Sequence, residues 1–315
     1  MLMIFTGECE QEVAHTRKFL QQHFVTKDLG QLRYFLGIEV ARSKEEVVLS
    51  QRKYVLDLLQ NTRMLGAKPT TLPMNPQVHL FDDDLKEVAS RAYKSLIGKL
   101  LYVTVTRPNI SFAVGKLSQF MEKPRKSHWD AAMLIVKYLK SSPSKGLFFK
   151  KGISLDVKAY SDADYAGSVH DRKSTIGFCV FVGENFISWR SKKQNVVSRS
   201  SAESEYHAMA QTTAEMTWFR SLLESLGIPT STPMKMFCDN KAVTYIANNP
   251  VFHERTKHIE VDCHYIRDMV QEGIISTIHV ASEDQAADIF TKALPIAEFF
   301  RCCDKLSMIN IYVPA

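Results

Sequence analysis

The 315-residue sequence has little of what marks specialised chains. Its 13 glycines and 11 prolines are too few for a collagen-like or low-complexity chain. No apolar run approaches the roughly 18 residues that a membrane span needs, and Met1–Phe5 lacks the length and basic flank of a secretory signal. The six cysteines contain no Cys-x-x-Cys pair, which argues against both a zinc site and a disulfide framework. A reduced intracellular compartment, cytoplasmic or nuclear, is the expectation. No tandem repeat is visible. What remains is a soluble-type composition, 45% hydrophobic and 23% charged, with a formal charge of +6.

That charge is unevenly placed. Residues 1–150 carry 23 Lys+Arg against 14 Asp+Glu, a balance of +9, and the remainder carries 17 against 20, a balance of −3. The asymmetry points to one half that grips a polyanion and another whose carboxylates serve a different purpose. Hydrophobic periodicity gives the organisation. In the first half, Val13, Phe19, Leu20 and Phe24 share a face of a helix over 12–24. Tyr34–Val40 reads as a strand with Val47–Ser50 as its partner. A helix over 51–60, a polar linker over 67–84, and helices over 93–102, 110–120 and 128–139 follow. The second half turns strand-rich after Ser141-Ser-Pro-Ser-Lys-Gly146. Strands are expected at 155–165, 175–182, 186–189, 234–238 and 274–280. Helices are expected at 202–226, 241–248, 258–271 and from Glu283 onward. This order gives a mixed α/β architecture around one sheet.

Four acidic positions resist a surface explanation. Asp239 stands between an apolar strand and a helix, so its carboxylate projects from a strand's end, where open α/β sheets bind ligands. The competing reading is a helix cap, a role that Asn240 fills equally well. Glu205 begins the apolar stripe of Met209, Thr212, Met216, Phe219 and Leu223, where a charge is costly unless a cation meets it. Its neighbour Glu203 has a simpler role in a capping box with Ser200. Asp162 and Asp164 share a strand face, and periodicity does not choose between them. Asp288 is expected about one turn into the last helix, after a capping box of Ser282 and Gln285. Convergence of such acids would demand a hard divalent cation, Mg²⁺ or Mn²⁺. Two such ions would suit phosphodiester chemistry. Lys192, Lys193 and Arg199, and separately Arg255, Lys257 and His258, are basic clusters suited to backbone phosphates. His253, His258, Asp262 and His264 match no standard zinc spacing.

These residues carry a resemblance. Tyr160-Ser-Asp-Ala-Asp-Tyr-Ala-Gly167, Ser200-Ser-Ala-Glu-Ser-Glu-Tyr206, Cys238-Asp-Asn240, Arg255-Thr-Lys-His-Ile259 and Ala287-Asp-Ile-Phe-Thr-Lys-Ala-Leu294 together resemble the RNase H domain of copia-type long-terminal-repeat retrotransposon Pol polyproteins. The first half resembles the end of the reverse-transcriptase palm, through Lys27-Asp-Leu-Gly-Gln-Leu-Arg-Tyr-Phe-Leu-Gly-Ile-Glu39. Its thumb and connection are matched by Gly98-Lys-Leu-Leu-Tyr102, Thr106-Arg-Pro-Asn-Ile110 and His128-Trp129. The resemblance implies a mostly helical reverse-transcriptase remnant over 1–145. Over 146–315 it implies an RNase H-like mixed five-stranded sheet with flanking helices. It implies cleavage of the RNA strand of RNA–DNA hybrids with two Mg²⁺ ions, Mn²⁺ substituting. It selects Asp162 over Asp164 and agrees with Glu205, Asp239 and Asp288 as the other metal-binding acids. It also points to Asn240, Arg255, Lys257 and His258 as substrate contacts. The polymerase motif Tyr-Val-Asp-Asp would precede Met1, so no polymerase activity is expected. A catalytically silent, nucleic-acid-binding relic is the second reading. The histidine that many RNases H carry before the last acid has a counterpart only in His279, whose expected place on a strand does not suit that role.

Overall fold

The computed structural model describes residues 3–4, 7, 9–78, 80, 86–152, 154–228, 232–248 and 260–310. The chain opens with helix α1 (Glu10–His23), which has the expected period but buries no residue. Phe19 and Phe24 are 53% and 62% exposed. The strand expected over 34–40 is instead a hairpin of β1 (Tyr34–Phe35) and β2 (Ile38–Arg42). Leu36 and Gly37 both take positive φ, 47° and 82°, which is the backbone that a two-residue hairpin turn needs. Strand β3 (Glu46–Ser50) pairs antiparallel with β2.

Helices α2 (Arg52–Asn61), α3 (Ser90–Val103), α4 (Ser111–Ser118) and α5 (Lys126–Ser141) follow, within a few residues of the spans that periodicity predicts. They meet over Leu59, Ile97, Leu100, Val114, Leu117, Ile135 and Leu139, all essentially inaccessible. Among the described residues of the polar stretch over 67–84 there is no helix or strand, as its prolines suggest. It nevertheless lies against α5, with buried Met74 and Leu80 as anchors and the Leu80 carbonyl 2.7 Å from His128 Nε2.

Strand β4 (Lys145–Lys150) joins β3, so the first sheet reads β1-β2-β3-β4 and is completed at its far edge by β10 (Met308–Asn310) from the end of the chain. The second sheet holds β5 (Val157–Asp164), β6 (Thr175–Val182), β7 (Asn185–Lys193), β8 (Met234–Cys238) and β9 (Ile275–His279), in the order β7-β6-β5-β8-β9. The β7-β6-β5 meander is antiparallel, while β5, β8 and β9 run parallel. This is the mixed five-stranded sheet that the sequence implies.

Both faces of that sheet are covered, which explains why β6 is a continuous apolar run rather than an alternating one. Phe178 and Val180 point towards α6 (Ser201–Ser225), together with Met209, Met216 and Phe219. Cys179 and Phe181 point the other way, into a core shared with Val114, Leu117 and Tyr138 of the first half. Helices α7 (Lys241–Ala247) and α8 (Glu260–Gln271) pack outside α6 and β9.

The helix expected from Glu283 is absent. Two short 3-10 turns, Ser282–Asp284 and Ala286–Phe290, precede α9 (Ile296–Lys305), which begins after Pro295. Gln285 separates the turns in an extended conformation. Its side chain accepts from the Ala287 N–H and donates to the Ser161 carbonyl, tying the segment to β5 instead of continuing a helix. Among the described residues no helix is long and apolar enough to cross a membrane.

Candidate active site

Asp162 lies near the end of β5, the central strand, opposite Gly177 of β6. Glu205 projects from the first turns of α6, where the Ser200 hydroxyl caps the helix by accepting from the Glu203 N–H. The Glu203 carboxylate accepts in turn from the Arg199 N–H at 2.7 Å, so Glu203 is occupied with the cap. Glu205 heads the stripe of Met209, Thr212, Met216, Phe219 and Leu223, all of them buried. Asp239 directly follows β8. Asn240 takes the cap of α7, its side-chain oxygen accepting from the Val243 N–H at 3.2 Å, which leaves the Asp239 carboxylate free for the sheet's end.

Carboxylate oxygens of Asp162, Glu205 and Asp239 lie within 4.8 Å of one another. Asp162 and Glu205 are only 3% and 6% exposed. Asp164, two residues along the same strand face, is not part of this group. Asp288 sits on the second 3-10 turn, one side of the group, and interacts chiefly with Asp162. Gly177 allows this turn to lie so close, because a Cβ there would come within 2.7 Å of Phe290 and Thr291.

Electrostatics and hydrogen bonds agree on the strain in this cluster. Burial, then the charges of Asp162 and Asp239, push the Glu205 carboxyl up to about 9. Burial and Asp162 push Asp288 up to about 7, with Lys292 opposing. Asp162 is also raised, by burial above all, against the pull of Lys292 and the Thr291 hydroxyl. Lys292 Nζ lies 3.0 Å from Asp288 Oδ1, and against the cost of burial Asp162 and Asp288 hold its ammonium above the ordinary range. Thr291 Oγ1 donates to Asp162, and Ser282 Oγ donates to Asp239 at 2.9 Å. Ser282 therefore fixes an acid of the site rather than capping a helix as its spacing to Gln285 suggests. His279 ends β9 with Nε2 3.2 Å from the Asp239 carbonyl.

Three clustered carboxylates that cannot all ionise unaided form a donor set suited to a hard divalent cation. Sequence reasoning missed Thr291, Lys292 and Ser282. The first two stand three and four residues after Asp288, the spacing of neighbours on one helical face.

The expected substrate contacts are dispersed. Lys192 and Lys193 end β7, where Lys193 pairs with Asp171 at 2.8 Å. Arg199 is exposed just before α6. Arg255, Lys257 and His258 lie outside the described residues, as does His253. The Asp262 carboxylate meets His207 Nδ1 and joins α8 to α6. Cys302 and Cys303 are buried in α9.

The family model for reverse transcriptase (RNA-dependent DNA polymerase) matches residues 2–76. The retrovirus-related Pol polyprotein from transposon RE1 of Arabidopsis thaliana is 44% identical over 311 residues, which is 98% of this chain and 21% of that protein. The corresponding polyprotein from transposon TNT 1-94 of Nicotiana tabacum is 33% identical over 97% of this chain and 24% of its own length. The chain belongs to the copia-type retrotransposon Pol family. It spans about a fifth of the Pol polyproteins it matches. The foamy viral protease-reverse transcriptase, solved in complex with RNA/DNA hybrid, aligns over 88% of this Pol segment and 34% of that chain. Its TM-score is 0.50 at 12% identity, a likeness of fold.

Proposed function

We propose that this Pol segment is a divalent-metal-dependent endoribonuclease that cleaves the RNA strand of RNA–DNA hybrids. One observation carries the reading: acids from β5, α6 and the end of β8 converge within 4.8 Å in a largely buried setting, although burial and mutual repulsion oppose it. Such an arrangement has no structural benefit that an apolar cluster would not exceed. Asp162, Glu205, Asp239 and Asp288 would hold two Mg²⁺ ions, with Mn²⁺ as a substitute. When bound, such ions neutralise the acids, lower the pKa of an attacking water and stabilise charge on the leaving oxygen.

The protein's own groups set the stage. Thr291 and Ser282 hold Asp162 and Asp239 in place through hydroxyl donors. Lys292 supplies positive charge next to Asp288. Lys192 and Arg199 contribute phosphate contacts, which give affinity without sequence preference. Asn240, Arg255, Lys257 and His258 are assigned to the hybrid on the family resemblance.

The test is cleavage of an end-labelled RNA–DNA hybrid in Mg²⁺ by the parent and by Asp239→Asn. Cutting by the parent and not by the variant is the expected result. A folded parent that leaves the hybrid intact in both Mg²⁺ and Mn²⁺ overturns the proposal.

A further inference from the structure

The acid cluster accounts for the second sheet's strand ends but not for a feature beside them. Helix α4 of the first half runs along β7, the edge strand of the second sheet. Between them lies an open groove of about 240 Å³ lined by Phe112, Lys116, Gln119, Thr175, Lys192 and Lys193, among others. One lysine there is fully committed: Lys193 Nζ lies 2.8 Å from Asp171 and donates to Gln119 Oε1 at 3.0 Å, fastening β7 to α4.

Lys116 is not committed. Its side chain is half-buried, and among the described residues no carboxylate lies within ion-pair distance of it. Burial, and next the like charge of Lys193, hold its ammonium below the ordinary lysine range, with the charges of Asp164 and Asp171 opposing. A half-buried ammonium facing a second one, in a groove open to solvent, is poorly satisfied until an anion joins it. Thr175 and Ser191 of the second sheet also line the groove, and Lys192 adds a further charge. The groove is also close to the acids. Asp164, which follows Asp162 by two residues, is near enough to feel both Asp162 and Lys116. A polyanion running past the acid cluster in this direction would lay its next phosphates over the groove.

We propose that this groove is a phosphate subsite for the nucleic-acid backbone, with Lys116 and Lys192 as charged donors. It rests on the reading of the segment as a hybrid-cleaving enzyme, and it adds a contact that the first half supplies to substrate held by the second. Open shape and adjacency to the acids favour a backbone phosphodiester over a free phosphate ion, which an enclosed pocket would suit better.

The test measures binding of a fluorescent RNA–DNA hybrid to the full chain, with Ca²⁺ replacing Mg²⁺, across a salt series. Lys116→Gln is expected to weaken binding roughly three- to tenfold at moderate salt and to flatten the log–log salt slope by about 0.9, the value for one phosphate contact. Lys116→Arg is expected to keep both affinity and slope, which separates a charge contact from a packing defect. Parental affinity and slope in Lys116→Gln would overturn the subsite. A parent that fails to bind the hybrid would instead overturn the functional reading on which it rests. Inorganic phosphate alone is expected to leave the parent's melting temperature unchanged. Stabilisation of the parent, but not of Lys116→Gln, by phosphate would reassign the groove to a free anion and defeat the backbone assignment.

Discussion

The acid cluster and the lysine groove lie side by side and are built in opposite ways. Each acid comes from a different element, Asp162 and Glu205 are buried, and three of the four are held by a neighbour: Thr291 on Asp162, Ser282 on Asp239, Lys292 on Asp288. The groove is open and spans both halves; it fixes Lys193, while among the described residues Lys116 has no ion-pair partner of opposite sign. Like charges are forced together in both places, but three of the acids are tied to neighbours whereas Lys193 alone of the two facing lysines is. Rigid placement suits atoms that must meet a reacting phosphate within fractions of an ångström. Loose placement suits contacts that contribute affinity along a strand and tolerate variation in it.

The strongest way to break this contrast is at the acids. Glu205→Gln is expected to lower hybrid cleavage about a thousandfold, the scale of several kcal/mol of lost charge stabilisation. The same variant should melt at a higher temperature than the parent near neutral pH in the absence of metal, since an amide is neutral without the proton that the buried Glu205 carboxyl must take up on folding. A lower melting temperature would show the cluster to be a structural network.

The pH dependence of stability is the next largest effect. The Glu205 carboxyl titrates near 9 in the fold, and Asp288 near 7, against about 4 for both in an unfolded chain. Between these values the folded state holds protons that the unfolded chain has released, so metal-free stability falls as pH rises from about 5 to 9. Added Mg²⁺ should flatten that decline, and Glu205→Gln should remove most of it. Denaturant unfolding at several pH values, with and without Mg²⁺, measures both.

Lys292→Met removes the cation from the cluster. Because the Lys292 side chain is 41% exposed, the expected loss is about 1–2 kcal/mol rather than the larger figure for a fully buried pair. Mg²⁺ should recover part of it, as seen by thermal melting. Smallest is Ser282→Ala, which deletes one hydroxyl donor to Asp239 and should cost about 1 kcal/mol, visible as a modest fall in cleavage rate with little change in melting temperature.

Much of this was legible in the chain. Glu205 stood out because a charge interrupted an apolar stripe at helical spacing, and Asp239 because it stood where a strand ends and Asn240 could serve as the cap. Both arguments are local, and the structure places both residues together. Asp288 was singled out, but on a helix that does not form. The Ser282 hydroxyl and the Gln285 amide are drawn to Asp239 and Ser161, partners 43 and 124 residues away, and no local pattern encodes such a pull. The hairpin at Leu36-Gly37 was hidden because a non-glycine residue with positive φ reads as strand in a run of apolar neighbours. Lys116 was invisible for a related reason: it is one lysine on a short helix until β7 is laid against it.

The pairing of β10 with β4 has a consequence for how the molecule is made. Ile309 meets Gly146 across most of the chain's second half, so the first sheet keeps an open edge on β4 until β10, which lies beyond the whole second sheet in sequence, is made. A growing chain therefore carries an unpaired strand edge through the synthesis of the whole second sheet. Such edges invite pairing with other nascent chains. Folding at low concentration, or with a chaperone shielding β4, should give a higher yield than folding at high concentration.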